Sequence, residues 1–85
     1  MKKFEVYIIF STKGKRFYVG QTQNFTNRIY RHNKGLVKST KYGKPWELVL
    51  KLEVLSRSEA VILENKIKKR GVKRYLEDND IIFGV

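Results

Sequence analysis

Residues 4–10, Phe-Glu-Val-Tyr-Ile-Ile-Phe, alternate with period two, so the chain must fold around a strand close to its N-terminus. Phe4, Val6, Ile8 and Phe10 share one face of that strand, and Glu5, Tyr7 and Ile9 take the other. Residues 11–15, with Gly14, supply a turn, and Arg16-Phe17-Tyr18-Val19-Gly20 returns as a second strand. Phe17 and Val19 share a side, leaving Tyr18 on the opposite one. Pairing position 7 with 18 would make the two tyrosines cross-strand neighbours, whereas a one-residue slip would separate them onto different faces. The sequence leaves that register open. Tyrosine is also a good strand former, so the pair has an ordinary structural explanation.

Asn24 is a good N-cap for a helix running to about Asn33, which Gly35 then ends. Phe25 and Ile29, four apart, form its packing edge. Arg28 and His32, also four apart, project together from a neighbouring stripe. Such a pair is usually a solvated surface, but a lone histidine can also move a proton near neutral pH. Residues 35–44 form a polar, basic loop that is either a mobile connection or a contact for a nucleic-acid backbone. Lys38, Ser39, Lys41 and Lys44 are its candidate contacts. Residues 46–54 make a third strand, with Leu48, Leu50, Leu52 and Val54 expected on one face.

The last strong pattern is an amphipathic helix over residues 56–70. Ser56 and Glu59 have the spacing of a capping box, and Gly71 is the stop. Its core stripe falls on Ala60, Leu63, Glu64 and Ile67, so a carboxylate occupies an apolar arc. Desolvation there is costly unless a cation, a metal or water compensates the charge. Two readings stand: a boundary residue paired with a neighbouring Lys or Arg, or a metal ligand.

Composition points at a partner. Nineteen Lys and Arg against eight Asp and Glu give a formal charge of +11. Residues 1–51 hold twelve of the basic and two of the acidic side chains, so nearly all of the excess lies there. That field favours a polyanion such as DNA or RNA. No apolar run approaches a membrane span of ~20 residues, and no basic helix carries a broad apolar face. The chain has no cysteine, which excludes disulfides and thiolate metal sites. Its opening residues lack the apolar core of a signal peptide, and a cytoplasmic protein is the expectation. Eighty-five residues suit one small domain.

Taken in order, these pieces resemble a known family. Val6-Tyr7-Ile8, the hairpin, and Tyr18-Val19-Gly20 look like the paired signature of the GIY-YIG nuclease domain. The resemblance continues through Thr22, Asn24, Arg28 with His32, and Lys44-Pro45-Trp46-Glu47-Leu48-Val49. It ends with Ser56-Arg57-Ser58-Glu59-Ala60 and Glu64-Asn65-Lys66-Ile67-Lys68, so it covers residues 4 to about 76. Val6 and Val19 depart from the name-giving triplets, and both departures leave the tyrosines and Gly20 in place. The chain is most similar to small stand-alone bacterial members, themselves similar to the endonuclease subunit of nucleotide excision repair.

The resemblance implies an α/β (α+β) fold: a three-stranded antiparallel sheet with the first strand in the middle, flanked by helices in the order β-β-α-β-α(-α). It implies metal-dependent hydrolysis of phosphodiester bonds, with one divalent ion, Mg²⁺ or Mn²⁺, held by Glu64. Tyr7 would orient or deprotonate the attacking water, for which nearby positive charge from Arg28 and His32 would have to lower its pKa. Arg28 would stabilise the pentacovalent phosphate, His32 would assist proton movement, and Tyr18 would position the phosphate or the water. Gly20 would let backbone approach the site. A late asparagine often completes the family's site, and Asn65 and Asn79 are the candidates here. DNA stands ahead of RNA as the partner, with specificity supplied by DNA structure, self-association as a homodimer, or another protein. The competing reading is a basic DNA- or RNA-binding module that does not cut. It explains the charge and the loop, but it has no need of Glu64 beside Tyr7, Tyr18, Arg28 and His32.

Overall fold

The computed structural model describes residues 3–81. Its elements run β1 (Phe4–Ser11), β2 (Arg16–Thr22), α1 (Phe25–Asn33), a short 3-10 turn (Lys41–Gly43), β3 (Trp46–Val54), α2 (Arg57–Arg70) and α3 (Val72–Asp78). The three strands form one antiparallel sheet in the order β2-β1-β3, so the first strand is central, as the resemblance implies. Each face of β1 is therefore covered. Val6 and Ile8 pack with Val19, Ala60, Ile67 and Leu76, which places α2 and α3 on that side. Tyr7 and Ile9 pack with Trp46, Tyr18, Phe25 and Ile29, which places α1 on the other.

Local chemistry sets the ends of these elements. The Ser11 hydroxyl accepts from the Gly14 amide in the hairpin turn. Asn24 caps α1 by accepting from the Asn27 amide at 3.1 Å. Glu5 on β1 takes the Phe25 amide at 3.1 Å, a carboxylate at the positive end of the helix. α1 ends in a Schellman motif: Gly35 has φ +75, its amide donates to the His32 carbonyl, and the Leu36 amide donates to the Arg31 carbonyl. Ser56 caps α2 through the Glu59 amide, while Glu59 reaches back to the amide of Leu55 rather than that of Ser56. Gly71, at φ +93, separates α2 from α3.

One strand-level expectation is corrected. Ile8 pairs with Leu50 but Ile9 pairs with Leu48, so Val49 is an extra residue in β3. This bulge inverts the alternation: Leu48 leaves the face of Leu50, Leu52 and Val54, and it is exposed. The same inversion turns Trp46 toward Tyr7 and Ile9, where it is almost completely buried.

Candidate active site

The face of the sheet covered by α1 carries an aromatic cluster with polar atoms inside it. Tyr7 pairs with Gly20 and Ile9 with Tyr18, a register displaced by two residues from direct pairing of the tyrosines. An even displacement keeps both on one face. Their rings lie 6.3 Å apart, tilted at 37°. Phe25 stands edge-on to Tyr7 at 5.3 Å, and His32 stands edge-on to Tyr18 at 5.1 Å.

Gly20 is what gives the Tyr7 phenol its place. A Cβ at position 20 would lie 2.5 Å from the Tyr7 hydroxyl oxygen and 2.7 Å from Cζ. The close approach expected at this glycine is thus made by the side chain of Tyr7 itself.

From there a line of hydrogen bonds runs inward. The Tyr7 hydroxyl is 2.9 Å from His32 Nε2, and His32 Nδ1 is 2.7 Å from the Thr40 hydroxyl oxygen. Thr40 in turn donates to the Val37 carbonyl at 3.4 Å. A hydroxyl has one proton to give, so with that proton on Val37 the Thr40 oxygen accepts from Nδ1–H. Nε2 is then an acceptor, and the phenol donates to it. His32 is completely buried, contrary to the surface reading of an Arg–His stripe. Burial, and then the Arg28 charge, push its pKa down to about 4, so the imidazole is neutral. Burial, with Tyr18 and Glu64 also contributing, raises the Tyr7 pKa above its ordinary value, against the lowering effect of Arg28. The cationic His32 expected beside Tyr7 is therefore absent at neutral pH. The resting pair is a neutral phenol on a neutral imidazole.

Arg28 and Glu64 bracket this pair electrostatically, since both charges act on the Tyr7 phenol. Glu64 lies on α2, which covers the face of the sheet opposite the tyrosines, and it reaches Gln21 on β2, whose register partner Val6 belongs to that same face. There its Oε1 accepts from the Gln21 side-chain amide at 3.0 Å, and its Oε2 accepts from Lys68 at 2.6 Å. Its side chain is 17 % exposed. The lysine pairing expected of a boundary residue is present. The far end of the same amide, Gln21 Oε1, is buried with no hydrogen-bond partner. A buried acceptor left unpaired is costly, and a cation there would relieve it. Two hard oxygen donors suit Mg²⁺ or Mn²⁺, which retain water ligands, better than zinc. Among the described residues, no group of three or more His, Cys, Asp or Glu could hold an ion.

The basic loop is built into the site. The Trp46 indole donates to the Thr40 carbonyl at 2.9 Å, the Gly43 amide donates to the same carbonyl, and Ser11 donates to the Gly43 carbonyl. Asn33 clamps the start of β3, accepting from the Trp46 amide at 2.6 Å and donating to the Trp46 carbonyl at 3.2 Å. Lys38, Ser39 and Lys44 are exposed on this folded loop, and Lys41 is half-buried. Asn79 donates to the Tyr75 carbonyl at the end of α3, and Asn65 is exposed on α2. Thr40, Asn33 and Gln21 are the site residues that sequence reasoning missed. Each is a short polar side chain that becomes informative only through the partner the fold gives it.

With this geometry in view, comparison with known proteins is decisive for the family. The model of the GIY-YIG catalytic domain matches residues 3–75. This chain belongs to the GIY-YIG family. The GIY-YIG family is one of endonucleases acting on DNA. Among solved structures, this GIY-YIG chain is similar to the UPF0213 protein BH0048 from Bacillus halodurans, seen by solution NMR. The two are 26% identical with a TM-score of 0.56, over 92% of this chain and 83% of that one. No curated protein matches this GIY-YIG chain in sequence. Among the described residues, no helix is long and apolar enough to cross a membrane.

Proposed function

We propose that this protein is a metal-dependent endonuclease that hydrolyses phosphodiester bonds in DNA, with Tyr7, Tyr18, Arg28, His32 and Glu64 as its catalytic set. The observation that carries the reading is the buried Tyr7–His32–Thr40 line, whose phenol feels the opposed charges of Arg28 and Glu64. A structural role alone would not require a histidine inside an aromatic cluster, held in one tautomer, beside an arginine that opposes its protonation.

The mechanism follows from the resting protonation states. A phenol with a raised pKa is a poor free base, so Tyr7 acts as a relay and not as a stored phenolate. As the attacking water approaches the phosphorus, its proton passes to the Tyr7 oxygen while the Tyr7 proton passes to His32 Nε2. Nδ1–H keeps its bond to Thr40, which orients the ring and stabilises the imidazolium that forms. The approaching phosphate also neutralises Arg28, removing part of what keeps His32 from accepting a proton. Arg28 meets the charge that develops on the phosphate oxygens. Tyr18, packed edge-on to His32, borders the same face and orients phosphate or water. Glu64, with the amide of Gln21 against it, would hold a divalent cation, which would supply Lewis-acid stabilisation of the departing oxygen.

Nicking of supercoiled plasmid with Mg²⁺, with Mn²⁺ and with chelator tests this reading, using Tyr7→Phe alongside the wild type. Cleavage that needs the metal and falls at least a hundredfold in Tyr7→Phe, roughly the loss of a proton-transfer group, is expected. DNA binding without cleavage in either metal would favour the binding module instead.

A further inference from the structure

A cleft of about 290 Å³ opens at the outer edge of β2, lined by Phe4, Gln21, Thr22, Asn24, Arg28 and Arg57 among others. Its two arginines come from opposite layers, Arg28 from α1 and Arg57 from the first turn of α2. The salt bridges among the described residues use Lys3, Lys51, Lys68 and Arg70, so neither cleft arginine has an acidic partner there. Two like charges converging on one concave surface repel each other, and an anion between them relieves that repulsion. Arg57 is also held in place, its guanidinium stacked 5.0 Å from the centre of the Phe4 ring. It therefore loses little side-chain freedom when it binds a ligand.

The cleft adjoins the site. Arg28 lines it and also acts on Tyr7 and His32. Gln21 lines it and also holds Glu64. Arg57 and Glu64 are seven residues apart on α2, two turns along the same side of the helix. We propose that this cleft is a phosphate subsite for the nucleic-acid backbone, in which Arg57 grips a phosphodiester group next to the one presented to Tyr7. The proposal rests on the reading of this chain as a nuclease acting on DNA. It adds Arg57 as a residue that sets where the strand lies. A guanidinium suits the task because its planar fork matches two phosphate oxygens, which an ammonium cannot do.

The test is DNA binding measured by fluorescence anisotropy on a labelled oligonucleotide hairpin, with chelator present so that nothing is cut, over a series of salt concentrations. For Arg57→Gln the slope of log K against log salt should become shallower by ~0.9, the contribution of one phosphate contact. Arg57→Lys should keep the slope and lose affinity, because the charge remains and the fork does not. Arg74→Gln removes an equal charge from α3 and should leave the slope unchanged. Thermal melting of each variant separates loss of fold from loss of contact. An unaltered slope in a folded Arg57→Gln protein would overturn the subsite, as would an equal change in Arg74→Gln. A wild type with no salt-dependent binding at all would overturn the nuclease reading as well.

Discussion

Alanine at position 20 should break the site without touching a charged group. Its added methyl would meet the Tyr7 hydroxyl oxygen at 2.5 Å and Cζ at 2.7 Å. The tip of a flexible side chain could swing away, but this one is confined. Tyr7 is 1% exposed, hydrogen-bonded to His32, and packed against Phe25 and Tyr18. Ordinary contact needs close to 3.4 Å, so the ring must retreat by nearly an ångström. That movement breaks the 2.9 Å bond to His32. Overpacking costs ~1–3 kcal/mol, and the phenol and imidazole left unpaired cost about 1–3 kcal/mol more. Against these, replacing a glycine inside a strand returns ~0.5–1 kcal/mol. The net destabilisation is ~1–5 kcal/mol, or a Tm lower by roughly 5–40 °C for a domain of this size. Urea and thermal unfolding measure it directly. Tyr7→Leu removes the clashing atoms, so it should cost less in the Gly20→Ala background than in the wild type. A Gly20→Ala protein that melts within a few degrees of the wild type would refute the argument, as would strict additivity with Tyr7→Leu.

His32 should make stability depend on pH. Its folded pKa of about 4 lies below its ordinary 6.5, so the unfolded chain binds the extra proton. The contribution is complete above pH 6.5 and is lost as pH falls toward 4, by about 3 kcal/mol. The difference in unfolding free energy between wild type and His32→Gln should narrow over that window and stay flat above it. Asn33→Ala removes both bonds to the Trp46 backbone and should cost ~1–3 kcal/mol, with loss of hydrogen-exchange protection at Trp46. Retained protection there would contradict the clamp. Lys68→Gln removes the ammonium that competes for Glu64, so calorimetric titration with Mn²⁺ should give tighter binding. Unchanged or weaker binding would mean that Lys68 does not compete for that site.

The parts of this fold that could be read from sequence are those set by neighbours along the chain. Asn24, Ser56, Gly35 and Gly71 place the helix ends through local hydrogen bonds and backbone preference, and each ends its element where expected. The hairpin faces were equally legible, because period-two alternation decides them. What the sequence left open depends on pairing across space. The two-residue displacement between Tyr7 and Tyr18 follows from how the turn closes. The bulge at Val49 is invisible in an alternating run of leucines, and yet it is what turns Trp46 into the site. Thr40 lies in a polar, basic loop where nothing along the chain sets it apart, and only its contact with Nδ1 gives it a task. Glu64 was conspicuous from the start because a carboxylate in an apolar stripe needs a reason. The structure supplies Lys68 and Gln21 as present partners, and leaves the other end of the Gln21 amide, Oε1, buried and unpaired.

Under the proposed mechanism, Glu64 and the tyrosine face act together as one hydrolytic site. The most direct measurement is plasmid nicking in Mn²⁺ by wild type and Glu64→Ala, with Mn²⁺ affinity of the same two proteins determined by calorimetry. Glu64→Ala should keep its fold and DNA binding but lose both measurable Mn²⁺ binding and metal-dependent cleavage. Glu64→Ala protein that cleaves at the wild-type rate would contradict that mechanism.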